Sequence, residues 1–316
     1  MKFGKIGILA GGPSSEREIS LKSGRAVYEA LIGRGCEAIL LDVKNDICDI
    51  IGRSAVDMAF IALHGRFGED GTVQRILEDM RVPYTGSGVE ASRLALDKII
   101  SKDIFCKCGI AVPVHAVIEK WDISVKLASS IGWPMVVKPQ FEGSSIGLSI
   151  ADDENSLKKA VDKALEYGDK VLVEEYINGR ELTVSILGDK ALPVIEIVAN
   201  QGVYDYEAKY EDPRTRYLVP APIEDKFAKL ASGIGEKAHK SLGCRSFSRV
   251  DMMMDKAGRI FVLEVNTIPG MTERSLFPKA AAAAGIDFGT VCIKLLEDAA
   301  KFFKAGVKLN YGSKEK

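Results

Sequence analysis

Residues 5–10 (KIGILA) form an apolar run that ends at Gly11-Gly12-Pro13, the pattern of a buried strand followed by a turn. Ser15-x-x-Glu18 then has the spacing of a capping box and predicts a helix to about residue 34. Apolar runs at 38–42 (AILLD) and 58–63 (MAFIAL) predict two more strands, with a helix at 72–80. Strand and helix thus alternate over roughly the first 95 residues, which implies a parallel sheet. Further on, 97–107 reads as helix, 135–139 (MVVKP) as strand, 140–147 as loop, 148–150 as strand and 153–167 as helix capped near Asp152 or Asp153. Strands at 170–177 (KVLVEEYI) and 181–187 follow, so the middle of the chain reads as a small α+β unit. Residues 200–222 are polar, tyrosine-rich and interrupted by Pro213, Pro220 and Pro222, the signature of a functional loop or of disorder. A helix at 225–241, strands at 248–254 and 259–266, and helices at 279–284 and 291–303 complete the pattern, ahead of a frayed tail at 311–316.

Composition narrows the classes. The 316 residues suggest two or three domains, and 47% hydrophobic with 28% charged residues is ordinary for a globular protein. Lys plus Arg number 43 against 44 acids, a net charge of −1, so no nucleic-acid partner is expected. No uncharged stretch exceeds 11 residues, against roughly 20 for a membrane helix, so no membrane span is expected either. The N-terminus runs straight into the first strand without a long apolar core, and no signal peptide is expected. Six scattered cysteines make no CxxC pair and read as free thiols of a cytoplasmic protein. Three histidines exclude a His-rich metal site.

Two nucleotide devices are absent. The first strand is followed by GGPS rather than Gly-x-Gly-x-x-Gly, and the single Gly-Lys pair, Gly4-Lys5, precedes Ile6 rather than Ser or Thr. The C-terminal hairpin is richer. Alternation puts Arg249, Asp251 and Met253 on one face of its first strand, and Glu264 and Asn266 on one face of its second. A four-residue turn at 255–258 pairs 254 with 259, which sets Arg249 opposite Glu264 and Asp251 diagonal to it. Val250, Met252, Phe261, Leu263 and Val265 then form the apolar face. Asp, Glu and Asn oxygens without Cys or His suit Mg²⁺ or Mn²⁺, commonly beside substrate phosphates. The same residues also fit a solvated charged face with a surface ion pair. In the middle unit, Lys138 ends a strand and is followed by the Gly/Ser loop FEGSSIG at 141–147, whose N–H groups suit phosphate oxygens. Lys209 offers another cation; Glu174, Glu175, Tyr176 and Ile177 end a later strand where an adenine can sit, with Glu181 in reach of a ribose.

A glycine-rich hairpin after a strand lysine, a hinge at the next strand end and a later Asp…Glu-x-Asn cluster together resemble the ATP-grasp superfamily. Within it the sequence resembles the D-alanine–D-alanine ligase family from Gly11 to about Pro278. The motifs are GGPSSEREISLKSG (11–24), HGRFGEDG (64–71), PYTGSGVEAS (83–92), LDK (96–98), VVKPQFEGSSIG (136–147), YDYEAKY (204–210), SRVDMM (248–253) and LEVNTIPGMTERSLFP (263–278).

The resemblance implies an α/β (α+β) fold of three domains. These are an N-terminal parallel α/β substrate domain (1–96), a central α+β ATP-grasp subdomain (97–178) and a C-terminal antiparallel-sheet catalytic domain (179–316) with 200–222 as its lid. It implies ATP-dependent joining of two D-alanines through an acyl phosphate for peptidoglycan precursor synthesis, with two Mg²⁺ or Mn²⁺ ions, in a homodimer. D-alanine–D-lactate and D-alanine–D-serine ligases are the neighbouring alternatives, and a non-catalytic nucleotide-binding module the remote one.

By the same match, Lys98, Lys138 and Lys209 meet phosphates beside Ser144 and Ser145, and Glu174, Glu175, Ile177 and Glu181 hold adenosine. Asp251, Glu264 and Asn266 are the implied metal ligands. Glu16 receives the ammonium of the first D-alanine and is joined by Ser144 and Tyr210, with His64 nearby. Ser275 and Leu276 take the carboxylate of the second D-alanine, and Arg249 and the Gly270 N–H face the oxyanion.

Overall fold

A computed structural model describes residues 3–44, 47–121, 131–199 and 214–311, with side chains to 304. Its first sheet is parallel, ordered β2-β1-β3, from β1 (Lys5–Gly11), β2 (Glu37–Val43) and β3 (Met58–Ile61). Every β1 residue from Ile6 to Gly11 is buried, which is why the run is apolar throughout rather than alternating. Helices α1 (Arg17–Gly33), α2 (Ile47–Ser54), α3 (Thr72–Asp79) and α4 (Val89–Leu96) accompany it.

The expected capping box at Ser15 and Glu18 does not form. Helix α1 instead begins at Arg17 with Glu16 as its N-cap, and no side chain caps it. Ser14 Oγ donates to the His64 carbonyl at 2.6 Å and accepts from the Glu16 N–H at 3.3 Å. The entry to the helix is therefore set by the neighbouring loop, and the Glu16 carboxylate is left to other use.

The second sheet is antiparallel, ordered β4-β7-β5-β6: β4 (His115–Glu119), β5 (Met135–Pro139), β6 (Ser149–Ala151) and β7 (Lys170–Glu175). Helix α6 (Glu154–Ala164) covers it through Leu157 and Val161 against Val137 and Val173, and is capped by Asp153 with Ser156. Helix α5 (Lys98–Lys107), capped by the Asp97 carboxylate on Ile99 N and Ile100 N, packs elsewhere. Its Phe105 joins the core of the third sheet with Leu182, Val184 and Val250.

That third sheet runs β11-β10-β8-β12-β13, from β8 (Gly179–Leu187), β10 (Ile195–Val198), β11 (Arg216–Leu218), β12 (Phe247–Asp255) and β13 (Ile260–Asn266), with the short β9 (Lys190–Ala191) beside β8. Helix α7 (Asp225–Ser241) packs on it, and α8 (Leu276–Ala283) and α9 (Phe288–Tyr311) join the core under the first sheet. Of the stretch expected to be irregular, 200–222, residues 200–213 lie outside the described residues, and of the rest only Arg216–Leu218 is regular, as β11 paired with β10.

The hairpin register also differs from expectation. Arg249 faces Asn266 and Asp251 faces Glu264 across the strands. The turn is one residue longer than assumed, pairing Met254 with Ile260, and a bulge after Asp251 adds a second residue. The apolar face is therefore Val250, Met252, Met254, Ile260, Val262 and Val265, while Leu263 turns with Met253 toward a cleft. A bulge re-aims side chains in this way by placing two residues opposite one. Among the described residues no single helix is long and apolar enough to cross a membrane. The bent α8–α9 pair meets length and composition together, but Phe277, Val291 and Leu295 are fully buried in the core.

Candidate active site

The three sheets meet at two adjoining cavities. The larger, about 560 Å³, is walled by Glu16, His64, Glu69, Lys98, Ser144, Arg249, Glu264, Asn266, Gly270, Ser275 and Leu276, among others. The smaller, about 140 Å³, is walled by Lys98, Lys138, Ser145, Glu174, Glu175, Ile177, Glu181, Asp251 and Glu264, among others. All of the sequence-derived site residues that are described therefore reach one or both cavities. Lys209 and Tyr210 lie outside the described residues.

The larger cavity starts from a glycine turn. Gly11 and Gly12 sit at φ +86° and +83°, which L side chains rarely adopt. Ser20 fastens the turn, accepting from Gly11 N and donating to the Ala62 carbonyl. Beyond it Glu16, 8% exposed, accepts a hydrogen bond from Ser144 Oγ in the Gly/Ser loop. Ser144 and Ser145 both hold positive φ, +50° and +59°, unusual for residues with a Cβ. Glycines flank this carboxylate closely: a Cβ on Gly65, at φ +71°, would stand 2.9 Å from Glu16 Oε2, and one on Gly143 3.1 Å.

His64 is buried behind this carboxylate, with Nδ1 3.0 Å from the Ile268 carbonyl and Nε2 3.1 Å from Ser23 Oγ. The carbonyl accepts only, so Nδ1 carries a proton. Glu69 Oε1 stands 3.6 Å from Nδ1. Burial works against charge on His64, but Glu69 and Glu16 outweigh it and raise its pKa. Burial raises Glu69 as well, with the Glu16 charge acting in the same direction.

The smaller cavity is held by ion pairs. Glu174, 2% exposed, receives Lys138 Nζ on Oε2 at 2.5 Å and the wholly buried Lys102 Nζ on Oε1. Burial opposes its charge, yet the two lysines win and hold Glu174 below the usual carboxylate range. The Glu174 carboxylate, expected on adenosine, is thus engaged by lysines. Glu175 accepts from Val114 N at 3.0 Å, and its own N–H donates to the Val114 carbonyl.

At the junction, Lys98 Nζ donates to the Glu142 carbonyl at 2.6 Å and lies 3.3 Å from Glu264 Oε2. Arg249 grips Asp251 rather than Glu264: Nε to Oδ1 at 2.9 Å and Nη2 to Oδ2 at 2.7 Å, with Thr183 Oγ1 donating to Oδ1. The corrected register explains the exchange, because Glu264 stands opposite Asp251 rather than Arg249, leaving Asp251, two along on the same strand face, as the arginine's partner. Asn266 Oδ1 accepts from Ile268 N, which fixes the chain as it leaves β13. Ser275, the N-cap of α8, accepts from Thr272 N, and a Cβ on Gly270 would fall 2.8 Å from its Oγ.

Asp251 and Glu264 form a cross-strand carboxylate pair with Asn266 next on the same face, an all-oxygen set of the kind that hard divalent cations take. No cluster of three His, Cys, Asp or Glu occurs among the described residues, so this set depends on the Asn and on a substrate for further ligands. Sequence reasoning missed Lys102, Glu69, Ser23 and Thr183. Lys102 left a signal by sitting one helical turn after Lys98 on α5, and Glu69 and Ser23 lie within the motifs at 64–71 and 11–24, while Thr183 left none.

A Gly/Ser loop after a strand lysine, facing an Asp/Glu/Asn hairpin across a cleft, defines an ATP-grasp fold, and solved structures similar to it bear this out. The chain belongs to the D-alanine–D-alanine ligase family. The C-terminal part of that family matches residues 104–297 and the N-terminal part 48–87. A D-alanine–D-alanine ligase of Citrifermentans bemidjiense is 46% identical over 299 residues, covering 95% of this chain and 97% of the relative. One from Pelotomaculum thermopropionicum is 46% identical, covering 93% and 96%. The crystal structure of a D-alanine–D-alanine ligase from Bacillus anthracis complexed with ATP superposes with a TM-score of 0.85 at 33% identity, over 96% of this chain and 99% of that one. The VanG D-Ala:D-Ser ligase of Enterococcus faecalis gives 0.82 at 28% identity, over 94% and 99%.

Proposed function

We propose that this chain joins two D-alanines at the expense of ATP, supplying a dipeptide for peptidoglycan precursors. The observation that carries the reading is the pair of cavities sharing Lys98 and Glu264, one polar enough for amino acids and one with Lys98 and Lys138 in its wall beside the Gly/Ser loop. We divide the chain into a substrate domain (1–96), a central nucleotide unit (97–178) and a catalytic domain (179–316). A cytoplasmic homodimer is part of the same reading.

The chemistry follows from the residues. A carboxylate is a poor acyl donor, so the first D-alanine attacks the γ-phosphorus of ATP, and its acyl phosphate and ADP result. The second D-alanine's amine attacks that carbonyl, and the tetrahedral species expels phosphate to leave the peptide bond. Glu16 receives the ammonium of the first D-alanine, with Ser144 holding the carboxylate in place. His64 carries its proton beside that substrate. Ser275 and the N-terminus of α8 at Leu276 suit the carboxylate of the second. Arg249 and the Gly270 N–H face the developing oxyanion. Lys98, Lys138 and Ser145 meet phosphates, while Glu175, Ile177 and Glu181 line the adenosine side. On the motif match alone, Lys209 is assigned a phosphate contact and Tyr210 a bond to Glu16. Asp251, Glu264 and Asn266 would hold Mg²⁺ or Mn²⁺, which supplies charge neutralisation to the phosphates when bound.

The test is product identification after incubating the protein with ATP, Mg²⁺ and a panel of D- and L-amino acids and D-lactate. D-alanyl-D-alanine with one phosphate released per dipeptide is expected. A mixed D-alanyl-D-serine or D-alanyl-D-lactate product in excess would reassign the second substrate, and no turnover would reduce the site to nucleotide binding.

A further inference from the structure

We propose that Lys102 is a positioning residue for nucleotide binding: by occupying one oxygen of Glu174 it keeps the Lys138 ammonium from being neutralised and leaves it available to phosphate. The inference rests on the reading of Lys138 as a phosphate contact. Lys102 is wholly buried and does not wall either cavity, whereas Lys138 and Glu174 both wall the smaller one. The three side chains come from three elements: Lys102 from α5, Lys138 from β5 and Glu174 from β7. Two ammonium groups share one carboxylate, so these three side chains together carry a net positive charge, with Lys138 as the member of the pair that reaches the cavity. Without Lys102 the remaining Glu174–Lys138 pair is self-neutralising. In so buried a place it attracts strongly, because little solvent screens it.

The support is rigid. Asp97 caps α5 and also accepts from Gln140 Nε2 at 2.9 Å, which ties the helix to the chain just after β5. Burial pulls Lys102 down to about 8 against the pull of Glu174, with Lys138 adding repulsion and Glu264 opposing it. Lys102 thus remains mainly charged at neutral pH. Burying a second ammonium is costly unless it is paired, and packing alone would favour an apolar residue at this helix position.

Binding of ATP and, separately, of adenosine to the full chain by calorimetry tests this. Lys102→Met should raise the Kd for ATP about tenfold or more, the scale of a weakened hydrogen bond to a charged group, and leave adenosine unchanged. In turnover it should raise KM for ATP while kcat and KM for D-alanine hold. The decisive arm is the double variant Lys102→Met/Glu174→Gln, which releases Lys138 again and should bind ATP better than Lys102→Met alone. Lys102→Gln serves if the Met variant does not fold. Equal losses for ATP and adenosine with a lowered Tm, or a double variant no better than the single, would overturn the proposal and leave Lys102 a packing residue. Lys138→Met separates the two levels. If it too binds ATP normally, the phosphate reading itself falls, whereas loss there with normal binding in Lys102→Met removes the role of Lys102 alone.

Discussion

The two cavities solve the burial of charge in opposite ways. Around the smaller one the buried carboxylate of Glu174 is matched by ammonium groups. Around the larger one, Glu16 and Glu69 lie near each other, served by a serine hydroxyl and a shared histidine. The first arrangement sits on strands and a capped helix. The second sits on turns, with two serines at positive φ and glycines pressed against the Glu16 carboxylate. On the proposed roles, Lys138 keeps an unshared ammonium for phosphate because Lys102 also serves Glu174. On the same reading, the larger pocket holds its acid for an ammonium on turns whose two serines sit at positive φ, a conformation that costs some strain.

Four substitutions would break or sharpen this comparison, from the largest expected effect to the smallest. Glu264→Gln strikes both cavities at once and should lower kcat/KM about a thousandfold, with the fold retained and partial recovery in Mn²⁺. Full activity at ordinary Mg²⁺ would remove Glu264 from the metal site. Arg249→Ala should cost about 3 kcal/mol in kcat, the scale of one lost oxyanion donor. It also strips Asp251 of its bidentate partner, so the Mg²⁺ dependence of turnover should shift with it. A change in ATP Kd with kcat intact would make the arginine a nucleotide ligand instead.

Ser144→Ala touches only the larger cavity. It should raise KM for the first D-alanine about tenfold by removing a hydrogen bond to a charged group, and ATP binding should not move. Equal effects on both ligands would mean that the Gly/Ser loop, not the hydroxyl, is what matters. The smallest effect concerns pH. The pKa of His64 is raised above 6.5 by Glu69 and Glu16 against burial, so the folded state holds its proton more tightly than the unfolded chain does. That contribution to stability is complete below about pH 6.5 and is lost as pH rises through the raised value. Unfolding titrations between pH 6 and 9 should show a shallower slope for His64→Gln than for the parent (the range brackets the ordinary histidine value). Superimposable slopes would mean the imidazole does not hold the extra proton.

Much of this was legible in the sequence, and the gaps have physical causes. Strands such as Met135–Pro139 and helices such as Asp225–Ser241 follow from apolar pattern, because each buries one face or both in a way the period reveals. The strand at His115–Glu119 was not foreseen, since its burial is mostly partial. The hairpin register was misjudged by two residues: turn length and a bulge depend on backbone geometry that alternation does not encode. The capping box failed because Ser14 and His64, fifty residues apart in sequence, set the start of α1. The oxygen donors and lysines were readable as residue types in motifs. Their pairing was not: which lysine meets Glu174, and whether Arg249 meets Asp251 or Glu264, is decided by the packing of separate sheets.

Lys98 and Glu264 belong to both cavities at once, and their ammonium and carboxylate lie 3.3 Å apart. A partition made of one ion pair cannot be rearranged on one side alone. Whatever factor a nucleotide applies to amino-acid affinity by drawing on Lys98, the amino acid must return to the nucleotide, because coupling free energy between two sites is reciprocal. If the two cavities take nucleotide and amino acid as proposed, the order of arrival is a matter of kinetics, and coupling between them has this shared pair as its shortest route.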